Sequence, residues 1–155
     1  MNRINLQPTG DQVRAFRDRK TGEPIYMLNL LKFKPKAEYK DKRPTDLTGR
    51  QAYGLYGAGF EEIMAPLGTE IIYSGEIRGF LIGYGEGDWD SVALIKYPSA
   101  DVMLDMFRNE SYQKVQIHRE AALEGQLLLE CGSGFKFSGK KEVNQISAHN
   151  IYYVK

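Results

Sequence analysis

The sequence predicts an α+β fold in which a β-α-β unit is used twice to build one sheet with helices on a single face. Leu28-Asn29-Leu30-Leu31-Lys32-Phe33 and Val92-Ala93-Leu94-Ile95-Lys96-Tyr97 match in character, sixty-four residues apart. Each is followed by a turn, a helical pattern and a further strand pattern, the β-α-β-β-α-β order of a ferredoxin-like protomer. Both strands are also apolar on both alternating faces, which marks a strand covered on two sides. Helices cover only one face of such a sheet. The sequence therefore predicts that a second copy of the chain covers the other, giving a homodimer in the form of a dimeric α/β barrel.

Composition fits this frame. At 155 residues one domain is expected, long enough for a core. A net charge of +1 gives no overall electrostatic case for nucleic acid or membrane partners. The charge is uneven: residues 1–48 hold eleven Lys/Arg against six Asp/Glu, which reads as a basic surface loop. The single cysteine excludes an intramolecular disulfide and disfavours a cysteine-based metal site. After the run QLLLE, Cys131 is expected to be a buried, inert thiol. No basic-then-apolar leader and no long apolar run is present, so a cytoplasmic location is expected.

The chain divides into an arm (1–23), a main unit (24–131) and an extension (132–155). In the arm, Thr9-Gly10-Asp11-Gln12 has capping-box spacing, and Val13 and Phe16 give the following helix one apolar edge. That edge is too small to fold alone, so the helix must dock on the body. Pro24 to Phe33 is the clearest strand, with Asn29 its one uncharged polar group. Residues 34–48 form a loop of about fifteen residues, long enough for a lid or for a surface insertion.

Thr48 caps a helix running to about Leu67, with Tyr53, Tyr56, Phe60, Met64 and Leu67 at helical spacing. Gly54, Gly57 and Gly59 each weaken it by roughly 1 kcal/mol relative to Ala, which suggests close approach to the sheet or to a ligand. Residues 70–83 read as a bent strand, with Ser74-Gly75 and Gly79 marking a bulge or hairpin. Trp89 and Asp90 open the next strand, and Ser99 caps the helix after it. Asn109 or Ser111 restarts a helix from Tyr112 to Glu124, with Gly125 as its stop. Gln126 to Glu130 is a last strand, and strand-like pieces at 135–137 and 151–154 suggest a terminal ribbon.

The restarted helix carries the candidate site. At about 100° per residue, Val115, Gln116, Arg119, Ala122 and Leu123 share one side, with His118 at its edge. A guanidinium on a core-facing stripe needs an anionic partner or a wet cavity. Arg119 therefore either pairs with Asp90 or Glu76 or holds a ligand oxyanion. His118 is either a hydrogen-bonded structural histidine or, within a cavity, a proton-transfer group. Asn29 is either a satisfied core amide or a ligand contact, Tyr53 and Tyr56 are either core residues or hydrogen-bonding groups in a cavity, and Trp89 with Asp90 can serve as an anchor and strand-end cap. No hydrolase triad, phosphate loop or zinc motif is present, and no cofactor is expected.

The segments MLNLLKF, GRQAYGLYG, LGTEIIYSGE, WDSVALIKYPS and YQKVQIHREAAL, in order from about Thr9 to Leu129, resemble the DUF1330 family of the dimeric α/β-barrel superfamily. The resemblance implies a ferredoxin-like protomer, a homodimer and a pocket between helices and sheet in each subunit. It implies no common reaction. The wider superfamily includes cofactor-free monooxygenases, haem-degrading monooxygenases and small isomerases or dehydratases. Of the haem-degrading set, Asn29 and His118 match two positions, while the tryptophan position falls near Met106 and is empty. Two functions stand. One is a cofactor-independent enzyme acting on a small anionic or aromatic molecule, with Arg119 orienting it and His118 moving a proton. The other is a non-catalytic dimeric ligand-binding or structural protein. The enzyme requires His118, Arg119 and Asn29 in one open cavity.

Overall fold

The computed structural model describes residues 6–85 and 89–132. The ribbon expected within 132–155 lies outside them from residue 133 onward. In chain order the elements are α1 (Gly10–Asp18), β1 (Ile25–Phe33), α2 (Gly49–Met64) with a one-turn 3-10 extension (Ala65–Leu67), β2 (Glu70–Glu76), β3 (Ser91–Tyr97), α3 (Ala100–Met106), α4 (Glu110–Ala122) and β4 (Leu123–Cys131). The four strands form one antiparallel sheet in the order β2-β3-β1-β4. With two helical crossovers, that order is the ferredoxin-like α+β arrangement.

Local chemistry places the helix starts. Thr9 and Thr48 each accept from the backbone N–H three residues on, and Gln12 and Gln51 return the bond, so both capping boxes form. Ser99 and Asn109 cap α3 and α4. The far end of α4 differs from expectation. Gly125 does not stop this helix; it lies within β4. Leu123 is already extended, and the chain passes from helix to strand with no loop.

The sheet has two unlike faces. Ile25, Met27, Asn29 and Leu31 of β1 and Ala93, Ile95 and Tyr97 of β3 are buried beneath the helices. Tyr56, Phe60 and Met64 of α2, Met103 and Met106 of α3 and Tyr112 of α4 close over them. On the opposite face Leu28 pairs with Leu94 and Leu129, and Leu30 with Val92 and Leu127. Leu127 and Leu129 remain 37% and 44% exposed, and no helix covers this face among the described residues. Cys131 pairs with Tyr26 on the same face and is exposed. The expectation of a buried thiol is thus corrected: the run QLLLE puts alternate residues on an open sheet face, not in a core.

Two further expectations shift. The register irregularity in β2 falls between Ile71 and Tyr73, and the strand ends at Glu76. Gly54, Gly57 and Gly59 of α2 do not approach the sheet. A Cβ on Gly59 would lie 2.6 Å from Val115 Cγ1, so this glycine admits α4, whereas Gly54 and Gly57 face open space. No helix among the described residues is long and apolar enough to cross a membrane.

Candidate functional site

Asn29 is the one polar residue among the buried, helix-facing positions of β1, and it is held on both ends. Its Nδ2 donates to the carbonyls of Met27 and Ala93, both at 3.3 Å. Its Oδ1 accepts from Gln126 Nε2 at 2.8 Å. Gln126 is turned to this face because β4 pairs it opposite Leu31. Its Oε1 in turn accepts from Arg119 Nε at 3.1 Å and Nη2 at 2.5 Å. Arg119 Nη2 also donates to the Leu6 carbonyl at 2.6 Å. A fixed chain of amides thus leads from the sheet centre to a guanidinium in the last turn of α4.

Arg119 therefore pairs with neither Asp90 nor Glu76. It has neutral acceptors, and none of the ion pairs among the described residues uses it. Its guanidinium lies at the wall of a cavity of about 400 Å³, between α1, α3, α4 and the β1–β4 side of the sheet. Met103, Met106, Phe107, Tyr112 and Phe16 supply apolar lining. The arm forms one wall: Leu6, Pro8, Val13 and Phe16 line the cavity. Charged and polar bonds fasten it, Arg19 to Glu130 at 2.9 Å, Lys20 to Asp101 at 2.9 Å and Gln7 to Glu120 at 3.0 Å. The 34–48 loop lines neither cavity. It is tied instead to the C-terminal end of α4, Glu38 N–H to the Ala121 carbonyl at 3.0 Å, with Ala37 and Tyr39 buried.

A second cavity of about 360 Å³ lies between α2 and the β2–β3 side, lined by Phe33, Tyr53, Gly54, Gly57 and Ile71 among others. Asn29, Tyr56 and Tyr97 line both cavities. The Tyr56 and Tyr112 hydroxyls are 3.3 Å apart. Burial pushes the phenols of Tyr56, Tyr97 and Tyr112 up, and that of Tyr53 up to about 12. These phenols stay protonated at ordinary pH and act as hydrogen-bond donors, not bases.

The structure brings Asn29, Tyr56 and Arg119 to the first cavity and Tyr53 to the second. It sets His118, Trp89 and Asp90 apart from both. Asp90 accepts the Phe33 N–H at 2.8 Å and sits 3.3 Å from Lys32 Nζ, closing the end of the β1–β3 pair. His118 points to the loop. Its Nδ1 lies 2.6 Å from the Tyr39 hydroxyl, with the two rings perpendicular. One residue along a helix turns a side chain by about 100°, which separates His118 from Arg119. Gln126 is the site residue that sequence reasoning passed over. Its one trace in the sequence is an amide opening an otherwise apolar strand run, which does not say which face it takes.

The His118 geometry sets a pH dependence. Desolvation, then the nearby Arg43 charge, lowers its pKa below the ordinary value of about 6.5. Between the folded and unfolded values the unfolded chain holds more protons. The stability from neutral His118 is complete above about pH 6.5 and is lost as pH falls through the folded value. Thermal melts from pH 7.5 to 5 are expected to fall less steeply for His118→Gln than for the parent chain. Equal slopes would assign the proton uptake to another group.

A ferredoxin-like sheet with a helix-covered cavity defines the structural class. Within it, a family model described as a domain of unknown function, DUF1330, matches residues 44–132, and the chain belongs to that family. The crystal structure of methylated RPA0582 protein is 32% identical with a TM-score of 0.78, over 88% of this chain and 99% of that one. A second structure, an RPA0582 protein of unknown function from Rhodopseudomonas palustris, is 31% identical with a TM-score of 0.76, over 88% and 100%. The hydroxynitrile lyase of Passiflora edulis shares the fold alone, at 11% identity and a TM-score of 0.51 over 76% and 100%. No curated protein matches the chain.

Proposed function

We propose that this protein binds a small, apolar or aromatic anion in the cavity beneath α1, as a homodimer and without a resident cofactor. The observation that carries the reading is Arg119: a half-buried cation at a cavity wall, aimed by Gln126 and hydrogen-bonded, among the described residues, to neutral acceptors, with the Glu120 carboxylate near enough to feel its charge. A ligand carboxylate would add a directly bonded charge, and the methionines and aromatic rings take the apolar part. The binding reading is favoured over an enzyme using His118, because that imidazole is bonded to Tyr39 and lines neither cavity. Pairing through the open sheet face is supported by its apolar rows, Leu28, Leu30, Leu94, Leu127 and Leu129, which a second copy would cover.

Benzoate and octanoate serve as probes in isothermal titration calorimetry. Both are expected to bind the parent chain. Arg119→Met should weaken them by about ten- to a hundredfold, since a hydrogen bond to a charged group contributes about 1.5–3 kcal/mol. The variant should keep its circular dichroism and most of its melting temperature. Undiminished binding by Arg119→Met would overturn the reading. So would a large loss of melting temperature, which would make Arg119 a structural cation.

A further inference from the structure

Resting on that reading, we infer that the ligand is an elongated one, a long-chain aliphatic carboxylate whose tail passes from the first cavity into the second. The two cavities lie on the same face of the sheet and are parted only by Asn29, Tyr56 and Tyr97, which line both. Each is of ordinary small-molecule size, about 400 Å³ and about 360 Å³. Arg119 lines the first cavity and not the second; the charged residues of the second are engaged elsewhere, Arg50 over the Phe33 ring and Glu76 with Arg78 at 3.3 Å. Beyond the shared residues, Phe33, Phe60, Ile71 and Ile95 provide apolar lining.

The α2 glycines give the second cavity its room. A Cβ at Gly54 or Gly57 would meet nothing within 4 Å, and both residues line this cavity. Glycine costs a helix stability relative to alanine, and neither residue recovers that cost by admitting a neighbouring element among the described residues. The space beside them fits a slender chain. A compact aromatic anion would fill the first cavity and leave the second unused.

The test is calorimetry with saturated n-alkanoates from octanoate to hexadecanoate, each below its micellar concentration, on the full chain. Affinity for the parent chain should climb by up to about fourfold per added methylene until both cavities are filled. Gly57→Leu puts a side chain into the second cavity at a helical position that favours leucine over glycine, so the variant should fold. Octanoate should bind it unchanged, and hexadecanoate should bind at least tenfold more weakly than to the parent. Gly57→Ala should lie between the two. Suppose octanoate binds and depends on Arg119, yet chain length or Gly57→Leu makes no difference. The elongated ligand is then overturned, and the anion site stands. Failure of every alkanoate to bind overturns the elongated ligand too, and benzoate then decides the anion site separately.

Discussion

Gly49→Ala should lower the stability of the protein by more than about 3 kcal/mol, a loss expected only where a substitution meets rigid structure. Gly49 opens α2 at the point where the end of β1 and the end of α4 converge. Its N–H donates to the Lys34 carbonyl at 3.1 Å, and the Lys34 N–H donates to the Ala122 carbonyl at 2.8 Å. An added Cβ would press on the Lys34 carbonyl oxygen and stand 2.6 Å from that of Ala122. Both obstacles are backbone, so no side chain can swing away. In chemical denaturation the midpoint should drop sharply, and melting should fall by about 10 °C for a domain of this size. Gly54→Ala is the control. Its Cβ enters open space within the same helix, so stability should rise by up to about 1 kcal/mol. Equal behaviour of the two variants would show that the junction opens without cost.

Leu28→Glu should yield a monomer. Leu28 stands mid-sheet on the open face, between Leu94 and Leu129. In a two-fold pairing each substitution is present twice, and each carboxylate would have to leave water without a partner. The dimer dissociation constant should rise by about a thousandfold or more. Light scattering at micromolar concentration should report twice the chain mass for the parent and one chain mass for the variant. A parent chain that scatters as a monomer would remove the second copy from the proposal.

Much of this architecture was legible because its causes are local. The threonine and glutamine of two capping boxes lie three residues apart, and β1 and β3 are apolar on both faces over their own short runs. The inward turn of Arg119 followed from helical periodicity alone. What was not legible depends on pairing between distant segments. Gln126 faces Asn29 only because β4 takes a particular register against β1, and no spacing within β4 encodes it. His118 was drawn toward the site by its place beside Arg119, but the 34–48 loop supplies the Tyr39 hydroxyl that claims it. Of Gly54, Gly57 and Gly59, read as close to the sheet or to a ligand, Gly59 admits α4 and the other two face open space instead of the sheet. Cys131 was misjudged because an apolar run reads alike on a buried face and on an open one.

The direct passage from α4 into β4 has a mechanical consequence. Arg119 and Gln126 sit seven residues apart on either side of a joint with no slack, clasped to each other across it. Such a joint leaves little room to hinge, so under the proposed function the cationic end of the chamber is preformed and a ligand would spend little entropy arranging it. The opposite wall is built otherwise: the N-terminal helix contributes no buried residue and is held at its C-terminal end by the ion pairs of Arg19 and Lys20.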